Sequence, residues 1–200
     1  MFRSFGKKYF APDVKLKSIS EIDLDDLKSQ GIKGIIMDLD DTLLPSDLKA
    51  NKEVIDKWLF KAKNEFSLFV VSNNSRPDYV KKFCEKFDIP YIARATKPRS
   101  KHIIRALTEM NLGFKSVIIV GDRVTTDIFV GKRLGIKAFL VAPLTESPSF
   151  FQKLVYKIEA RLLKFIEPIV ESAPIKESTK EMLKEERHKA EVKADIKQDS

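Results

Sequence analysis

Short apolar runs that break off abruptly on polar residues constrain this chain more than any other feature. Ile35-Ile36-Met37 runs straight into Asp38-Leu39-Asp40, Leu68-Phe69-Val70-Val71 into Ser72-Asn73-Asn74, and Val117-Ile118-Ile119-Val120 into Gly121-Asp122. Such runs read as strands buried on both faces, the condition of a parallel sheet covered by helices. The stretches between them carry helical periodicity, as in Val54, Ile55, Trp58 and Leu59, which share one stripe. The pattern predicts strands over 32–37, 67–71, 89–92, 117–120 and 136–141. It predicts helices over 51–66, from a Ser75 cap and Pro77 to 87, over 100–110, and over 127–134 with Gly135 as the stop. Strands alternating with helices give an α/β fold, a Rossmann-like doubly wound parallel sheet. No internal repeat is present.

In such sheets ligands bind outside the carboxyl ends of the strands, so the polar residues closing each apolar run are the candidate site. Asp38 and Asp40 sit at i and i+2, and on an extended chain they point the same way. Side by side they repel, and Mg²⁺ is a cation suited to such oxygen ligands. The competing reading is an acidic loop that merely ends a strand. Ser72-Asn73-Asn74 offers a hydroxyl and a run of backbone N–H groups, although the same residues make ordinary turns. Lys97, before Pro98, says nothing alone. Asp122, after a wholly apolar strand, is followed by cap-rich residues as far as Asp127.

Taken in order, these four segments resemble the signature motifs of the haloacid dehalogenase superfamily: DxDx[TV], a strand-ending Ser or Thr, a lone Lys, and GDxxxxD. The resemblance implies that Asp38 attacks phosphorus to form an aspartyl-phosphate. It implies that Asp40 protonates the leaving alkoxide and then activates water. Ser72 and Lys97 would neutralise the phosphoryl oxygens. Mg²⁺ would bind the Asp38 carboxylate, the Asp40 main-chain carbonyl and Asp122, with Asp127 holding the metal's shell or Lys97. Thr42 would support the nucleophile loop. Gly31-Ile32-Lys33-Gly34, Ser72-Asn73-Asn74, Ala93-Arg94-Ala95-Thr96-Lys97-Pro98 and Gly121-Asp122-Arg123 are further similar to the YqeG-type subfamily, related to the mitochondrial phosphatidylglycerophosphate phosphatases. The likeness runs over about 13–165. Asp41 departs from it, since asparagine is usual there; its extra carboxylate is expected to point to solvent.

The expected organisation is an N-terminal segment over 1–30 on or flanking the core, a phosphatase domain over 31–170, and a charged tail over 171–200. The tail lacks aromatic residues from 173 onward and cannot offset its ordering entropy by burial, although 177–192 has the composition of a solvated helix. The intervals 43–67 and 74–97 leave no room for a large cap domain. An uncapped site suits substrates whose bulk stays outside, such as a phospholipid head group, a phosphoprotein or a nucleic-acid end. The net charge of +8 is uneven: from Glu171 onward eight acids face seven bases, so the remainder carries +9. A basic body favours anionic partners. Phosphatidylglycerophosphate is the substrate the resemblance implies. A non-catalytic nucleic-acid-binding module is the alternative; no aromatic-and-basic recognition strand supports it.

The single cysteine, Cys84, excludes an intrachain disulfide and falls at helical spacing from Val80, as a buried thiol would. His102 reads as a surface or capping residue, and Arg76 and Arg94 as charges near strand ends. No apolar run approaches the ~20 residues of a membrane span. Residues 1–10 are basic and aromatic without a secretory apolar core. The expected location is the cytoplasm, peripheral to a membrane, or the mitochondrial matrix side in a eukaryote. A helix over 150–169, capped by Ser147 and Pro148, places Phe151, Leu154, Val155, Ile158, Leu162, Phe165, Ile166 and Ile169 on one face with Lys153, Lys157 and Lys164 along its edge and Arg161 close by. It admits two readings, a lid on the sheet with snorkelling lysines or an interfacial membrane helix, and the first is favoured.

Overall fold

The computed structural model describes residues 2–44, 52–145 and 148–166. The tail, the Ser147 cap and the end of the last predicted helix lie outside the described residues. Six parallel strands form one sheet: β1 (Val14–Leu16), β2 (Gly34–Met37), β3 (Ser67–Val71), β4 (Tyr91–Ile92), β5 (Val117–Gly121) and β6 (Lys137–Val141). Their order is β1-β6-β5-β2-β3-β4. The chain winds outward from β2 through β3 to β4, then returns to place β5 on the other side of β2. That reversal opens a crevice beyond the carboxyl ends of β2 and β5, where ligands of doubly wound sheets bind.

Every residue of β2 and β5 is buried, which is why these strands read as unbroken apolar runs. Alternate residues serve opposite faces. Ile35, Met37, Val70 and Val120 meet α2 (Leu24–Ser29), α3 (Lys52–Glu65) and α4 (Pro77–Phe87). Ile36, Phe69, Val71 and Ile119 meet α5 (Lys101–Met110) and α6 (Phe129–Leu134). Cys84 is fully buried on α4, as its spacing predicts, and burial pushes its thiol up to about 12. Gly131 lets α6 sit directly on the sheet, because a Cβ there would lie 2.4 Å from Ile119 Cγ2.

Several boundaries differ from expectation for local reasons. Ile89 donates its N–H to the Cys84 carbonyl in the αL stop that ends α4 at Asp88, so β4 is shorter than predicted. The N-cap of α4 is Arg76, whose N–H is taken by Asn74 Oδ1 at 2.9 Å; Ser75 does not cap it. A π-turn over Val124–Ile128 precedes α6, which carries the helix start back from Asp127. The first thirty residues supply α1 (Phe2–Phe10), the edge strand β1 paired with β6, and α2. The last helix, α7 (Phe150–Ile166), starts in a capping box: Ser149 N–H donates to Gln152 Oε1 at 2.8 Å and Gln152 N–H to Ser149 Oγ at 3.3 Å. It packs against α1 rather than covering the sheet, which overturns the favoured reading of that segment.

Gly131→Val should push α6 off the sheet and cost about 1–3 kcal/mol. Denaturation followed by the fluorescence of Trp58, the only tryptophan, would read this as an earlier midpoint.

Candidate active site

The sheet register sets the geometry. Met37 is opposite Val70 on one side and Val120 on the other, so Asp38 emerges between the ends of β3 and β5. Its N–H donates to the Val120 carbonyl at 2.9 Å. Ser72 and Asp122 follow the neighbouring strand ends, and all three come to one place because three buried strands stop together. Gly121 has a specific task there. A Cβ on it would lie 2.4–2.5 Å from the Asp127 carboxylate, so only glycine lets Asp127 fold back over the strand end.

Lys97 arrives from the loop after β4, and a dedicated set of contacts delivers it. Asn73 clamps its backbone, accepting the Lys97 N–H at 2.7 Å and donating to the Lys97 carbonyl at 3.1 Å. Ala95 N–H donates to the Ser72 carbonyl at 2.9 Å, and His102 Nδ1 lies 2.5 Å from the Ala95 carbonyl. Arg94 and Thr96 both take positive φ, +51° and +54°. For β-branched Thr96 that conformation is unfavourable and persists only because the surroundings impose it. Lys97 Nζ thereby reaches Asp127 Oδ1 at 2.6 Å and Asp38 Oδ1 at 2.8 Å, with its side chain 2% exposed. His102 is thus half-buried and ties α5 to the lysine loop, a contact its sequence context does not reveal.

Asp40 turns to the other side of the strand end. It accepts from Ser72 Oγ at 3.3 Å and from Asn74 Nδ2 at 3.0 and 3.1 Å. Ser72 Oγ in turn accepts the Asn74 N–H at 3.0 Å. Thr42 is buried and donates to Asp122 Oδ1 at 3.4 Å, so it supports Asp122 from within the Asp38 loop. Arg94 Nε donates to the Ser75 carbonyl, and Arg76 lies over the Tyr79 ring at 5.0 Å; both are exposed.

Asp41 does not point to solvent. It is buried and accepts from the hydroxyls of Thr145 and Tyr156 and from Gln152 Nε2. Its φ of +58° turns the side chain inward, and Asp and Asn are the residues other than glycine that best tolerate that conformation. The asparagine usual in the resembled subfamily shares this tolerance. The partners come largely from α7, whose inner face is polar at i, i+4 and i+7. Gln152 bonds Asp41, the Tyr156 hydroxyl shares its one proton between Asp41 Oδ2 at 3.2 Å and Asp122 Oδ2 at 3.1 Å, and buried Glu159 holds Arg123 at 3.3 Å and the Thr125 N–H at 3.0 Å. Sequence reasoning missed this face, because helical periodicity draws attention to the apolar stripe.

Asp38, Asp122 and Asp127 each offer an oxygen within 4.8 Å of the others, and Asp41 adds a fourth carboxylate nearby. Only Lys97 bonds into this group as a buried cation among the described residues. Burial raises the Asp38 carboxyl above its ordinary range, against the pull of Lys97. Asp122 is pushed well above it, by burial first and then by Asp127, Asp38 and Asp41. Burial alone would lower Lys97, but Asp127 and Asp38 outweigh it and raise it. Uncompensated negative charge at Asp122, in an all-oxygen donor set, fits a hard divalent cation. Asp127 bonds Lys97 through Oδ1 and takes the Arg123 N–H and the Thr126 hydroxyl at Oδ2, while it also belongs to the acidic group that could hold the cation.

Comparison with known proteins shows the family to which this fold and sequence belong. A family model described as Mitochondrial PGP phosphatase matches residues 4–145. The chain is similar to the probable phosphatase YqeG of Bacillus subtilis (strain 168), 34% identical over 157 residues that cover 78% of this chain and 91% of that one. It is similar to phosphatidylglycerophosphate phosphatase 1, chloroplastic/mitochondrial, of Arabidopsis thaliana, 27% identical over 168 residues; these cover 79% of this chain and 48% of that longer protein. A crystal structure of an uncharacterized protein from Listeria monocytogenes serotype 4b aligns with 66% of this chain and 99% of its own at 20% identity, with a TM-score of 0.44.

Asn73→Ala should release the lysine loop without touching the carboxylates. Turnover of a phosphomonoester is expected to fall about 10- to 100-fold, the scale of a small misplacement of a reacting group. Steady-state kinetics beside a thermal melt would separate this from unfolding.

Proposed function

Since the chain belongs to the mitochondrial PGP phosphatase family and is a phosphatase of the YqeG type in the haloacid dehalogenase superfamily, we propose that it hydrolyses the phosphomonoester of phosphatidylglycerophosphate through an aspartyl-phosphate on Asp38. The observation that carries this reading is the Lys97 bridge between Asp38 and Asp127, beside Asp122, at the ends of the central strands. Asp38 has a more exposed side chain, 11%, than Lys97 at 2% or Asp127 at 1%, which suits the one that must reach a substrate.

In the first step an Asp38 oxygen attacks phosphorus, and the bond to the head-group oxygen breaks. Asp40 gives its proton to that leaving alkoxide. Ser72 and Asn74, already bonded to Asp40, hold the acid beside the reacting centre. In the second step Asp40 takes a proton from water as that water attacks phosphorus, releasing phosphate and restoring the Asp38 carboxylate. The Lys97 ammonium and the Ser72 hydroxyl, its proton turned from Asp40 to the substrate, stabilise the charge that builds on the phosphoryl oxygens. Magnesium, held by Asp38, the Asp40 main-chain carbonyl and Asp122, would supply Lewis-acid neutralisation of the phosphate and relieve the repulsion among these carboxylates.

The substrate assignment draws on the family match and on the Arabidopsis relative. It also draws on the space above the site. Among the described residues, a single helix follows the Asp38 loop and only α4 and β4 separate Asn74 from the lysine loop, so no cap excludes a bulky lipid. No described helix is long and apolar enough to cross a membrane, so a lipid substrate calls for peripheral contact with its surface. We assign the catalytic domain to 31–170, with the N-terminal segment as an integral support through β1.

Asp38→Asn should abolish turnover and leave no phosphoryl-enzyme, while Asp40→Asn should slow turnover by about 10²–10⁴-fold. Near-normal turnover by Asp38→Asn would falsify the covalent route. Chelation should silence the enzyme, and added Mg²⁺ should restore it. Ca²⁺ should not, because its looser coordination misplaces the attack. Release of phosphate from phosphatidylglycerophosphate in detergent micelles is the readout for each.

A further inference from the structure

We propose that the outward face of α7, with α1 beside it, is a docking surface for anionic lipid membrane, and that α7 fixes the depth at which the active site meets that membrane. The inference rests on the lipid-phosphatase reading above and names the surface that reading needs.

The inner face of α7 is committed to the site through Gln152, Tyr156 and Glu159. Its outer face is what a water-facing helix should not be. Phe150, Phe151, Leu154, Ile158 and Phe165 are 85%, 72%, 46%, 56% and 58% exposed. Five of the nine large exposed hydrophobics among the described residues are therefore on this one helix, which makes a patch rather than scatter. At 3.6 residues per turn they form one stripe, with exposed Lys153, Lys157 and Lys164 along its edge and exposed Arg161 within it. The only acid of α7 is Glu159, and it is buried toward the site. Among the described residues, the outward surface of α7 thus carries four cations and no anion.

A sixth exposed hydrophobic, Phe5, lies on α1 with exposed Lys7 and Lys8. The two helices are held in close contact at Gly6, where a Cβ would sit 2.6 Å from Ile166 Cγ2. Phe10 stacks on Phe129 of α6 at 4.7 Å, which seats α1 on the body. The pair is therefore a platform fixed to the fold.

Charge and composition choose the occupant. The core of a protein–protein interface is poor in lysine, whereas an interfacial membrane helix has this combination of aromatic and aliphatic stripe with lysines at its edge. The geometry then relates platform and chemistry. Tyr156 bonds Asp122 from the inner face, so a membrane lying on the outer face is about one helix diameter, ~10 Å, from the candidate metal ligand. A phosphomonoester borne at the outer end of a head group fits that depth; one buried among acyl chains does not.

The test uses the full chain and sedimentation with vesicles of phosphatidylcholine alone or with added phosphatidylglycerol. Wild type should bind the second and not the first. Lys153→Glu/Lys157→Glu/Lys164→Glu should lose about a hundredfold in binding or more. Leu154→Ser/Ile158→Ser should lose about tenfold or more. Both variants should keep wild-type turnover of p-nitrophenyl phosphate and of phosphatidylglycerophosphate in detergent, and lose it only for substrate in vesicles; Trp58 fluorescence checks their folding. Equal binding to both vesicles, no binding, or unaltered binding by both variants overturns the proposal. So does a wild-type dimer in gel filtration that both variants dissolve, since a second copy would then own the face. If wild type binds through this face yet releases no phosphate from phosphatidylglycerophosphate in detergent, docking stands and the substrate assignment falls.

Discussion

One buried ammonium holds the site together. Lys97 stands between Asp38 and Asp127 with Asp122 alongside, where neither the carboxylates nor the cation would stay charged alone. Removing one partner from such a group leaves an uncompensated buried charge, a loss of about 3–5 kcal/mol. Much of the surrounding structure can be read as the cost of putting that ammonium there. Asn73 gives both side-chain polar atoms to the Lys97 backbone, and His102 braces the preceding carbonyl. Thr96 holds a conformation that a β-branched residue avoids. The lysine still does not balance the acids, and the excess at Asp122 is what makes the place fit for a divalent cation.

The scaffold part of this was legible in the residues. Buried parallel strands need apolar side chains on both faces, so β2, β3 and β5 announced themselves, and their ends marked Asp38, Ser72 and Asp122. Lys97 was legible only through its order among the other segments, because a lysine before a proline has no local signature. Asn73 and His102 act through contacts between distant loops, which periodicity does not encode. β1 has three half-buried residues and α1 only nine residues, too little pattern to stand out from an irregular N-terminus. The boundary shifts at β4 and α6 have one cause: helix ends recruit neighbouring backbone groups that a pattern assigns elsewhere.

Asp41 and α7 were misread for a related reason. An extra acid in a loop reads as solvent-exposed because an unpaired buried carboxylate is costly, and its partners lie more than a hundred residues away at Thr145, Gln152 and Tyr156. An apolar stripe on a terminal helix reads as core-facing because most are. Here the helix leans on a polar rim made by Asp41, Asp122, Arg123 and Thr125, so the polar stripe turns inward and the apolar one outward. A stripe reveals that a helix has two unlike faces; which of them meets the body depends on what the body offers.

That inversion couples the outer face of α7 to the site. If α7 were held by apolar packing on the sheet, its position would be independent of the acids. Held by Tyr156 and Glu159, it is bonded to Asp122 and to the π-turn that carries Asp127. Any load on its outer face is therefore borne by the loops that shape the site. Those loops need little motion to lose function, since displacing a reacting group by about 1 Å costs about 100-fold in rate. A membrane seated on α7 would press the polar face onto its partners, adding to its packing on α1 at Gly6 and Ile166 and to hydrogen bonds each worth about 1 kcal/mol. In the lipid-phosphatase reading proposed above, the helix thus ties the site to the side from which the substrate would arrive.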